Sequence, residues 1–380
     1  MIKDEIVSLT KKLIEFESIE SRPDQLKSVV DFVEDYLKKN TSLKLYRYES
    51  NGKPSLVGVF KKDHPSEKDN PYQTPEIIFH DHLDVVPGKP EQFKPSLKGT
   101  KLYGRGTADT KTHGAAMMVL AKELSRSFNA RLPARQVQRS TSNVGFMFTT
   151  DEEVSGHDGT LYLLKKGWRP KFFVTLEPCA FEIIPAHKAV LWLKVLVKGK
   201  SSHASRPWKG VNAALKAHLG LEKLYKIYPL PQKEAWQTTI NLGGIKGGDA
   251  FNKVMGECEL KLDIRHIEKD KAAVIIKNVK KCFPRSLVEV VEEEPGMDTD
   301  FNNSYVKRLA EVVKKVTGQK TKIRRGHGAC DGRFYSAVGI PSVEFGTVTS
   351  GLHTDNEYVE TKYLESFYQI LYQFSLDHSL

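Results

Sequence analysis

The sequence has few cysteines and no pair of them close together. The four, Cys179, Cys258, Cys282 and Cys330, are widely spaced and form no CxxC. Nothing in that spacing suggests a disulfide framework, so free thiols in a reducing, cytoplasmic setting are expected. No stretch approaches the roughly 18 apolar residues that a membrane span requires, so no membrane partner is expected. The opening residues, MIKDEIVSLTKKLIEF, carry acids at positions 4 and 5 and lack a continuous apolar core, so they do not read as a signal peptide. The Gly-x-Gly at Gly104 and Gly106 lacks a third glycine, and no Walker lysine follows at the right spacing, which excludes a phosphate loop. Aromatic residues are absent from the densest basic run, RLPARQVQR at 131–139. That run reads as a solvated loop with nothing to stack on a base, and the net charge of +11 is spread along the whole chain. No nucleic-acid partner is expected; the positive field suits attraction of anionic substrates.

What is present is ordinary for a globular protein: 39% hydrophobic and 28% charged residues over 380 positions, more than one core usually holds. Helical patterns at 3–17 and 24–39 flank SRPD, which reads as a break and N-cap signal. Strand patterns follow at LKLYRYE, SLVGVF and EIIFHDHLDVV, with a polar loop at 64–74. A helix is predicted from Lys111 to Ser125, then a strand (VGFMFTT), a helix near 158–166 and a strand (KFFVTLE). This alternation predicts an α/β layer with a largely parallel sheet flanked by helices. From about residue 187 the order becomes β-α-β-β-α-β, the ferredoxin-like order, and after Pro295 the α/β alternation resumes. The economical division is a catalytic domain in two parts, 1–186 and 295–380, with an inserted domain at 187–294.

The chemistry-bearing residues fall into clusters. His82 and Asp84, in IIFHDHLDVVP, are two apart at a strand end and share a face, so one can bind a metal while the other orients it. Asp109, in YGRGTADTK, precedes a helix, where an aspartate is most often a simple cap. Asp151, Glu152 and Glu153, in TTDEEVSG, place like charges together, which costs energy unless a cation offsets it. Glu177 before Pro178, His203 in GKSSHASRP, Asp331 and Arg333 in ACDGRFY, and His353 in GLHTDNEY complete the inventory. Singly, each is more often structural. Together, histidines and carboxylates suit zinc or similar ions, and a bridging carboxylate suits a pair of metals.

The ordered set HLDVVP, YGRGTADTK, TTDEEVSG, EP, GKSSHASRP, LDIR, DGRF and HTDNEY resembles the metallohydrolase family of aminoacylases, acetylornithine deacetylase, succinyl-diaminopimelate desuccinylase and glutamate carboxypeptidase. The resemblance runs from about Leu9 to Tyr372. It implies two divalent ions per subunit, zinc above all, with cobalt or manganese as alternatives. His82, Asp109 and Glu177 resemble the ligands of one ion, and Asp109, Glu153 and His353 those of the other, with Asp109 bridging. The resemblance further implies a cis peptide after Asp109. Asp84 resembles the partner that holds His82, Glu152 the general base, and His203 a lid histidine that reaches a neighbouring subunit in dimeric members. Asn252 and Arg265 lie where lid residues help hold substrate, and Arg333 or Arg265 is the candidate for a substrate carboxylate. The expectation is a homodimeric deacylase of N-acyl amino acids, with a dipeptidase or carboxypeptidase using the same centre as the alternative. A non-catalytic binding protein on the same scaffold is the rival from another class; the complete ligand set argues against it. The pattern departs from the family in three places. Asp81 stands where a small residue is common, so that an extra acid alters metal choice or simply faces solvent. Gly328-Ala329-Cys330-Asp331 stands where desuccinylase-like members read Gly-Thr-Ser-Asp, removing two hydroxyls. Asn252 is followed by Lys253-Val254-Met255.

Overall fold

The structure is a computed structural model, and it describes residues 1–60, 74–129 and 143–376. The basic run at 131–139, and the polar loop at 64–74 but for Thr74, lie outside the described residues. The chain forms two compact units. The first comprises Met1–Ala186, Asp298–Arg324 and Cys330–Leu380; the second comprises His187–Met297 and Arg325–Ala329.

The first unit opens with helices α1 (Ile2–Ile14) and α2 (Pro23–Asn40). Their buried residues, Ile6, Leu9 and Leu13 in α1 and Leu26, Val29, Val30, Val33 and Leu37 in α2, recur every three or four positions and form one apolar stripe each. The expected side-chain cap in SRPD is absent: Arg22 is the N-cap, Pro23 sets the first helical φ, and Arg22 pairs with Asp24. The strands are β1 (Leu43–Ser50), β2 (Lys53–Phe60), β3 (Ile77–His82), the short β4 (Ser96–Lys98) and β5 (Lys101–Tyr103), β6 (Val144–Thr149), β7 (Phe172–Thr175) and β8 (Ile183–His187). Helix α3 (Lys111–Asn129) precedes β6, and α4 (Thr160–Lys165) follows it.

The second unit contains β9 (Ala189–Lys198), α5 (Ala213–Ile227), β10 (Thr239–Gly247), β11 (Glu257–His266), α6 (Ala272–Cys282) and β12 (Leu287–Glu294). The chain then continues through the short β13 (Met297–Asp298), α7 (Ser304–Thr317), β14 (Ile323–Gly326), α8 (Gly332–Ala337), β15 (Ser342–Phe345), the short β16 (Thr349–Ser350) and β17 (Tyr358–Glu360), and α9 (Leu364–Leu376).

The main sheet runs β1-β2-β6-β3-β7-β15-β8. Its centre is parallel, with β3 against both β6 and β7 and β15 against β7. Its flanks are antiparallel, at β1–β2, β2–β6 and β15–β8. The sheet is therefore mixed, and the expectation of a largely parallel sheet holds only for the centre. Both faces are covered, as a parallel centre requires. Phe79, Phe146, Phe148 and Phe172 pack with α1, α2, α3, α7 and α9 on one side. Their strand neighbours Ile78, Met147 and Phe173 pack with Leu163, Trp168 and Tyr335 on the other. The period of two along each strand produces this division, and it explains why these strands read as continuous apolar runs. A small sheet in the order β16-β17-β5-β4 has no clear sequence signal, because strands of two or three residues carry too little periodicity.

In the second unit, strand order β10-β11-β9-β12 with α5 and α6 on one face is the ferredoxin-like arrangement. Leu191, Leu193, Val195 and Val197 of β9 meet Leu260, Leu262 and Ile264 of β11 and the two helices. Gly220 of α5 is needed for close approach: a Cβ there would lie 2.2 Å from the Phe283 ring. The opposite face is polar, with Lys194 paired to Glu259 at 3.2 Å and Trp192 donating to Asp263 at 3.1 Å. This unit runs on to Met297, past the expected boundary at 294, and takes in Arg325–Ala329.

Phe146 is fully buried at the centre of the main sheet. Phe146→Ala should cost about 3–5 kcal/mol, from lost transfer energy plus a cavity. A urea titration followed by circular dichroism should show a lower midpoint; an unchanged midpoint would refute this account of the core.

Candidate metal centre

The site is assembled in the first unit, where the parallel strands and their following loops end. β3 ends on His82, and the loop after β6 carries Asp151, Glu152 and Glu153. Glu177 follows β7, and His353 lies between β16 and β17. Strand alternation puts His80 and His82 on one side of β3 and Asp81 on the other.

Two triplets of potential ligand atoms converge. One is His82, Asp109 and Glu177; the other is Asp109, Glu153 and His353; in each the atoms lie within 4.8 Å of one another. Asp109 is shared. Its Oδ1 lies 3.1 Å from His82 Nε2 and its Oδ2 lies 3.0 Å from His353 Nε2. Glu177 Oε1 is 3.7 Å from His82 Nε2, and Glu153 Oε2 is 3.4 Å from His353 Nε2.

The loops are fixed by hydrogen bonds that the ligand inventory alone does not show. Asp84 sits beneath His82, with its carbonyl oxygen 3.1 Å and its Oδ1 3.5 Å from His82 Nδ1. A partner at Nδ1 leaves Nε2 aimed at the other ligand atoms. The same Asp84 carboxylate accepts the backbone N–H groups of Glu152 at 3.3 Å and Glu153 at 3.0 Å. Asp109 is presented by a turn in which Gly104 (φ 151°) and Gly106 (φ 88°) adopt positive φ, and the Asp109–Thr110 peptide is cis. Glu357, which the motif reading passed over, secures that turn. Its Oε1 accepts from the backbone N–H of Gly106 (2.8 Å), Ala108 (2.9 Å) and Asp109 (3.2 Å), while its Oε2 pairs with Arg105. The signal for it was present as the acid in HTDNEY, but a buried carboxylate that binds backbone looks like any other acid in a string.

Asp331 and Arg333 form a second clamp. Arg333 is 5% exposed, and its guanidinium donates to the carbonyl of Ser155 at 2.6 Å and lies 3.4 Å from Asp331 Oδ1. Asp331 Oδ2 accepts from Thr160, whose hydroxyl also meets His80 Nε2 at 3.0 Å. The pair thus ties down the segment that carries Glu152 and Glu153. Arg333 is committed inward, so of the two arginines expected to hold a substrate carboxylate it is the less available. Arg265, on β11 of the second unit, is half-buried and paired with Asp263 at 2.9 Å. His203 and Asn252 also belong to the second unit. His203 Nδ1 lies 2.8 Å from Ser205 Oγ, and the Asn252 carbonyl accepts from Ala204 at 2.8 Å. Asp81 does not face solvent: it is fully buried against Gly114, where an added Cβ would come within 2.5 Å of its Oδ2.

Electrostatics set the character of the site. Burial pushes the carboxyls of Glu152 and Glu177 well above the usual carboxylate range. His353 is raised to about 10 by its hydrogen bonds to Asp109 and Glu153. Burial opposes a charge on His82, yet hydrogen bonds to Asp109 and Asp84 hold it well above its ordinary value. Without a further cation, the imidazoles and the Arg333 guanidinium are the positive groups that offset these carboxylates. Glu177 Oε1 is buried with no hydrogen-bond partner, which is costly unless an ion takes that place. The donor set of imidazole nitrogens and carboxylate oxygens fits divalent ions of the zinc type.

This fold and this donor set define a metal-dependent hydrolase. The chain belongs to the peptidase family M20/M25/M40, whose profile matches residues 78–377, and it is a hydrolase acting on amide bonds. It is 26% identical over 311 residues to the succinyl-diaminopimelate desuccinylase of Cupriavidus necator, covering 76% of this chain and 78% of that protein. It is 25% identical over 319 residues to the acetylornithine deacetylase of Pectobacterium carotovorum, covering 78% and 79%. Among solved structures, the aminopeptidase PepT of Bacillus cereus matches with a TM-score of 0.80 at 20% identity, over 98% of each chain. A dinuclear metal-binding M20 peptidase of Bacillus subtilis matches with a TM-score of 0.72 at 14% identity, over 99% of this chain and 98% of that one. These two likenesses show the shared fold.

Removing one member of the buried Asp331–Arg333 pair leaves the other charge uncompensated. Arg333→Met should therefore destabilise the protein by about 3–5 kcal/mol. The double variant Asp331→Asn, Arg333→Met should recover part of that loss. Denaturant titrations of Arg333→Met, Asp331→Asn and the double variant test this; additive losses would show that the two residues do not act as a pair.

Proposed function

We propose that the protein is a two-metal deacylase that hydrolyses the amide bond of N-acyl amino acids. The observation that carries this reading is the Asp109 carboxylate set between His82 and His353, with Glu177 and Glu153 completing the two triplets. The residues present fit two divalent ions: His82, Asp109 and Glu177 would hold one, and Asp109, Glu153 and His353 the other. Such ions, zinc first among them and cobalt or manganese by the same donors, lower the pKa of a water and polarise a carbonyl when bound.

The protein's own groups do the rest. Asp84 keeps His82 in the tautomer that offers Nε2 and holds the backbone of Glu152 and Glu153 in register. Glu152 is the general base: it takes a proton from the attacking water and returns it to the leaving amine. Its carboxyl is raised by burial, which suits a group that must alternately accept and release a proton. His203 donates to the developing oxyanion of the tetrahedral species, and Asn252 helps seat the substrate. Arg265 binds the carboxylate beside the scissile bond; its guanidinium is more accessible than that of the inward-turned Arg333.

In this reading the ferredoxin-like unit is a lid that also forms a homodimer, with His203 serving the partner's site. Exposed Val211, Leu215 and Leu219, four residues apart along α5 and its approach, support an apolar contact there. The four cysteines are free and buried, consistent with a cytoplasmic setting, and no helix among the described residues is long and apolar enough to cross a membrane.

Glu152→Gln should leave metal content and fold intact and lower turnover by about 100- to 10,000-fold. Glu153→Ala should lower metal content as well. Metal stoichiometry and turnover on a panel of acyl amino acids and dipeptides measure both. Near-normal turnover of Glu152→Gln would overturn the mechanism, and faster cleavage of dipeptides would overturn the deacylase assignment. Chelation should abolish activity, and added zinc should restore it. Leu215→Asp together with Leu219→Asp should convert a dimer to monomers in sedimentation velocity and reduce turnover as His203→Ala does; a fully active monomer would refute the shared site.

A further inference from the structure

The loop that carries His353 has few supports of its own. Residues 352–356 are exposed, and the His353 side chain is 53% exposed. The His353 backbone sits at φ 59°, a conformation that a residue with a Cβ adopts only where its surroundings impose it. Within the loop, the Thr354 N–H donates to the Gly351 carbonyl at 3.0 Å, and the Thr354 hydroxyl donates to the same oxygen at 2.8 Å. Among the described residues, the polar contacts that 352–356 make beyond the loop are few: His353 with Asp109 and Glu153, Asp355 with Lys89, and the Thr354 carbonyl with Gln92. The Lys89–Asp355 pair is exposed on both sides, and such pairs contribute little. Support for the loop apart from the ligands themselves therefore falls on Gln92.

Gln92 is 8% exposed and lies in the short turn Pro90–Phe93. Phe93 anchors that turn by packing with Ile19 and Val85. The Gln92 carbonyl accepts the Arg105 N–H at 2.8 Å, at the start of the segment that presents Asp109. The Gln92 side chain accepts at Oε1 from the Lys89 N–H at 2.9 Å and donates from Nε2 to the Thr354 carbonyl at 3.0 Å. These partners dictate which way the amide faces, because a backbone N–H can only donate and a carbonyl can only accept. One buried residue thus joins the segment leading to Asp109 to the loop bearing His353, and those two side chains meet at 3.0 Å. The other triplet is held differently: His82 is fully buried at the end of β3, Glu177 follows β7, and among the described residues no hydrogen bond joins Gln92 to either.

We propose that Gln92 is a positioning residue for the ion of Asp109, Glu153 and His353, acting through the Thr354 carbonyl. The inference rests on the reading of that triplet as a metal site. Gln92 touches no ligand side chain; it fixes the loop from which one ligand is offered. Without its Nε2 donor the loop keeps only the exposed Lys89–Asp355 pair, and His353 no longer meets Asp109 and Glu153 in one arrangement. The ion of His82, Asp109 and Glu177 keeps its own supports.

The test is calorimetric titration of zinc chloride into the full-length protein after chelation, beside Gln92→Glu, Gln92→Met and Lys89→Ala. Gln92→Glu has the same shape and keeps the acceptor for the Lys89 N–H, but it sets a carboxylate oxygen against the Thr354 carbonyl, so it should behave like Gln92→Met. Both should bind one zinc as the wild type does and the other about 10- to 100-fold more weakly. Lys89→Ala should bind both as the wild type does. In the chelated proteins, hydrogen exchange over residues 351–357 should quicken about tenfold in the two Gln92 variants and stay unchanged over 77–82. Zinc binding and exchange of Gln92→Glu that match the wild type would overturn the proposal, since a residue that only fills space tolerates its isostere. Equal weakening of both zincs would overturn it too, as the mark of general destabilisation. A wild type that takes up a single zinc would instead overturn the two-metal reading, and exchange of the loop would still decide whether Gln92 holds it.

Discussion

The repulsion among Asp109, Glu152, Glu153 and Glu177 is the constraint on which the rest of the first unit depends. Four carboxyl groups cannot be gathered in a buried place unless something positive is gathered with them and the backbone is held against their separation. His82 and His353 supply part of the charge, each through one oxygen of Asp109. The backbone is held by carboxylates of a different kind, which face the peptide N–H groups: Asp84 under Glu152 and Glu153, and Glu357 under Gly106, Ala108 and Asp109. Acids thus serve in two capacities here, and the distinction lies in what their oxygens meet. Where they meet N–H groups they set geometry. Where an oxygen such as Glu177 Oε1 accepts no hydrogen bond, it is available to an ion.

The sheet explains why such an arrangement can be held. Its parallel centre is packed on both faces by large aromatic and aliphatic side chains, so the strand ends that carry His82 and Glu177 are anchored in the stiffest part of the molecule. The loops beyond those ends need further support, and they receive it from buried polar groups. Arg333 and Asp331 do this from the far side of the acidic loop, and the His80 imidazole, held among Thr149, Thr160 and Thr175, joins that network to β3.

Much of this was legible in the sequence, for identifiable reasons. The α/β alternation and the β-α-β-β-α-β segment follow from hydrophobic period, and period survives burial. His82, Asp109, Glu153, Glu177 and His353 stand out because each sits in a short motif at a strand end or turn. The antiparallel flanks of the main sheet were not legible, since a strand's hydrophobic pattern does not record the direction of its neighbour. The four-stranded sheet around β5 and β17 was missed because its strands are too short to show a period. Glu357, Arg105 and the inward turn of Arg333 were missed for another reason: their partners are backbone atoms or residues far away in sequence, and no local pattern records a contact to a carbonyl. Asp81 posed the same problem, since alternation gave its side of the strand but not that Gly114 would close over it.

The span of chain that the site bridges has a consequence for how the protein comes into being. The Asp109–His353 contact joins residues 244 apart, and the Asp109–Glu357 contact joins residues 248 apart. A growing chain can therefore form β3, β6 and β7 long before the turn bearing Asp109 has its anchor or its second imidazole. Until the last stretch of the polypeptide folds back, the first-made acids face one another with half their counter-charge. Ions held by both triplets would favour docking of the C-terminal segment, because His353 comes from it, and docking would favour the ions in return. A chain that has not brought its end home lacks His353, and with it one of the two triplets.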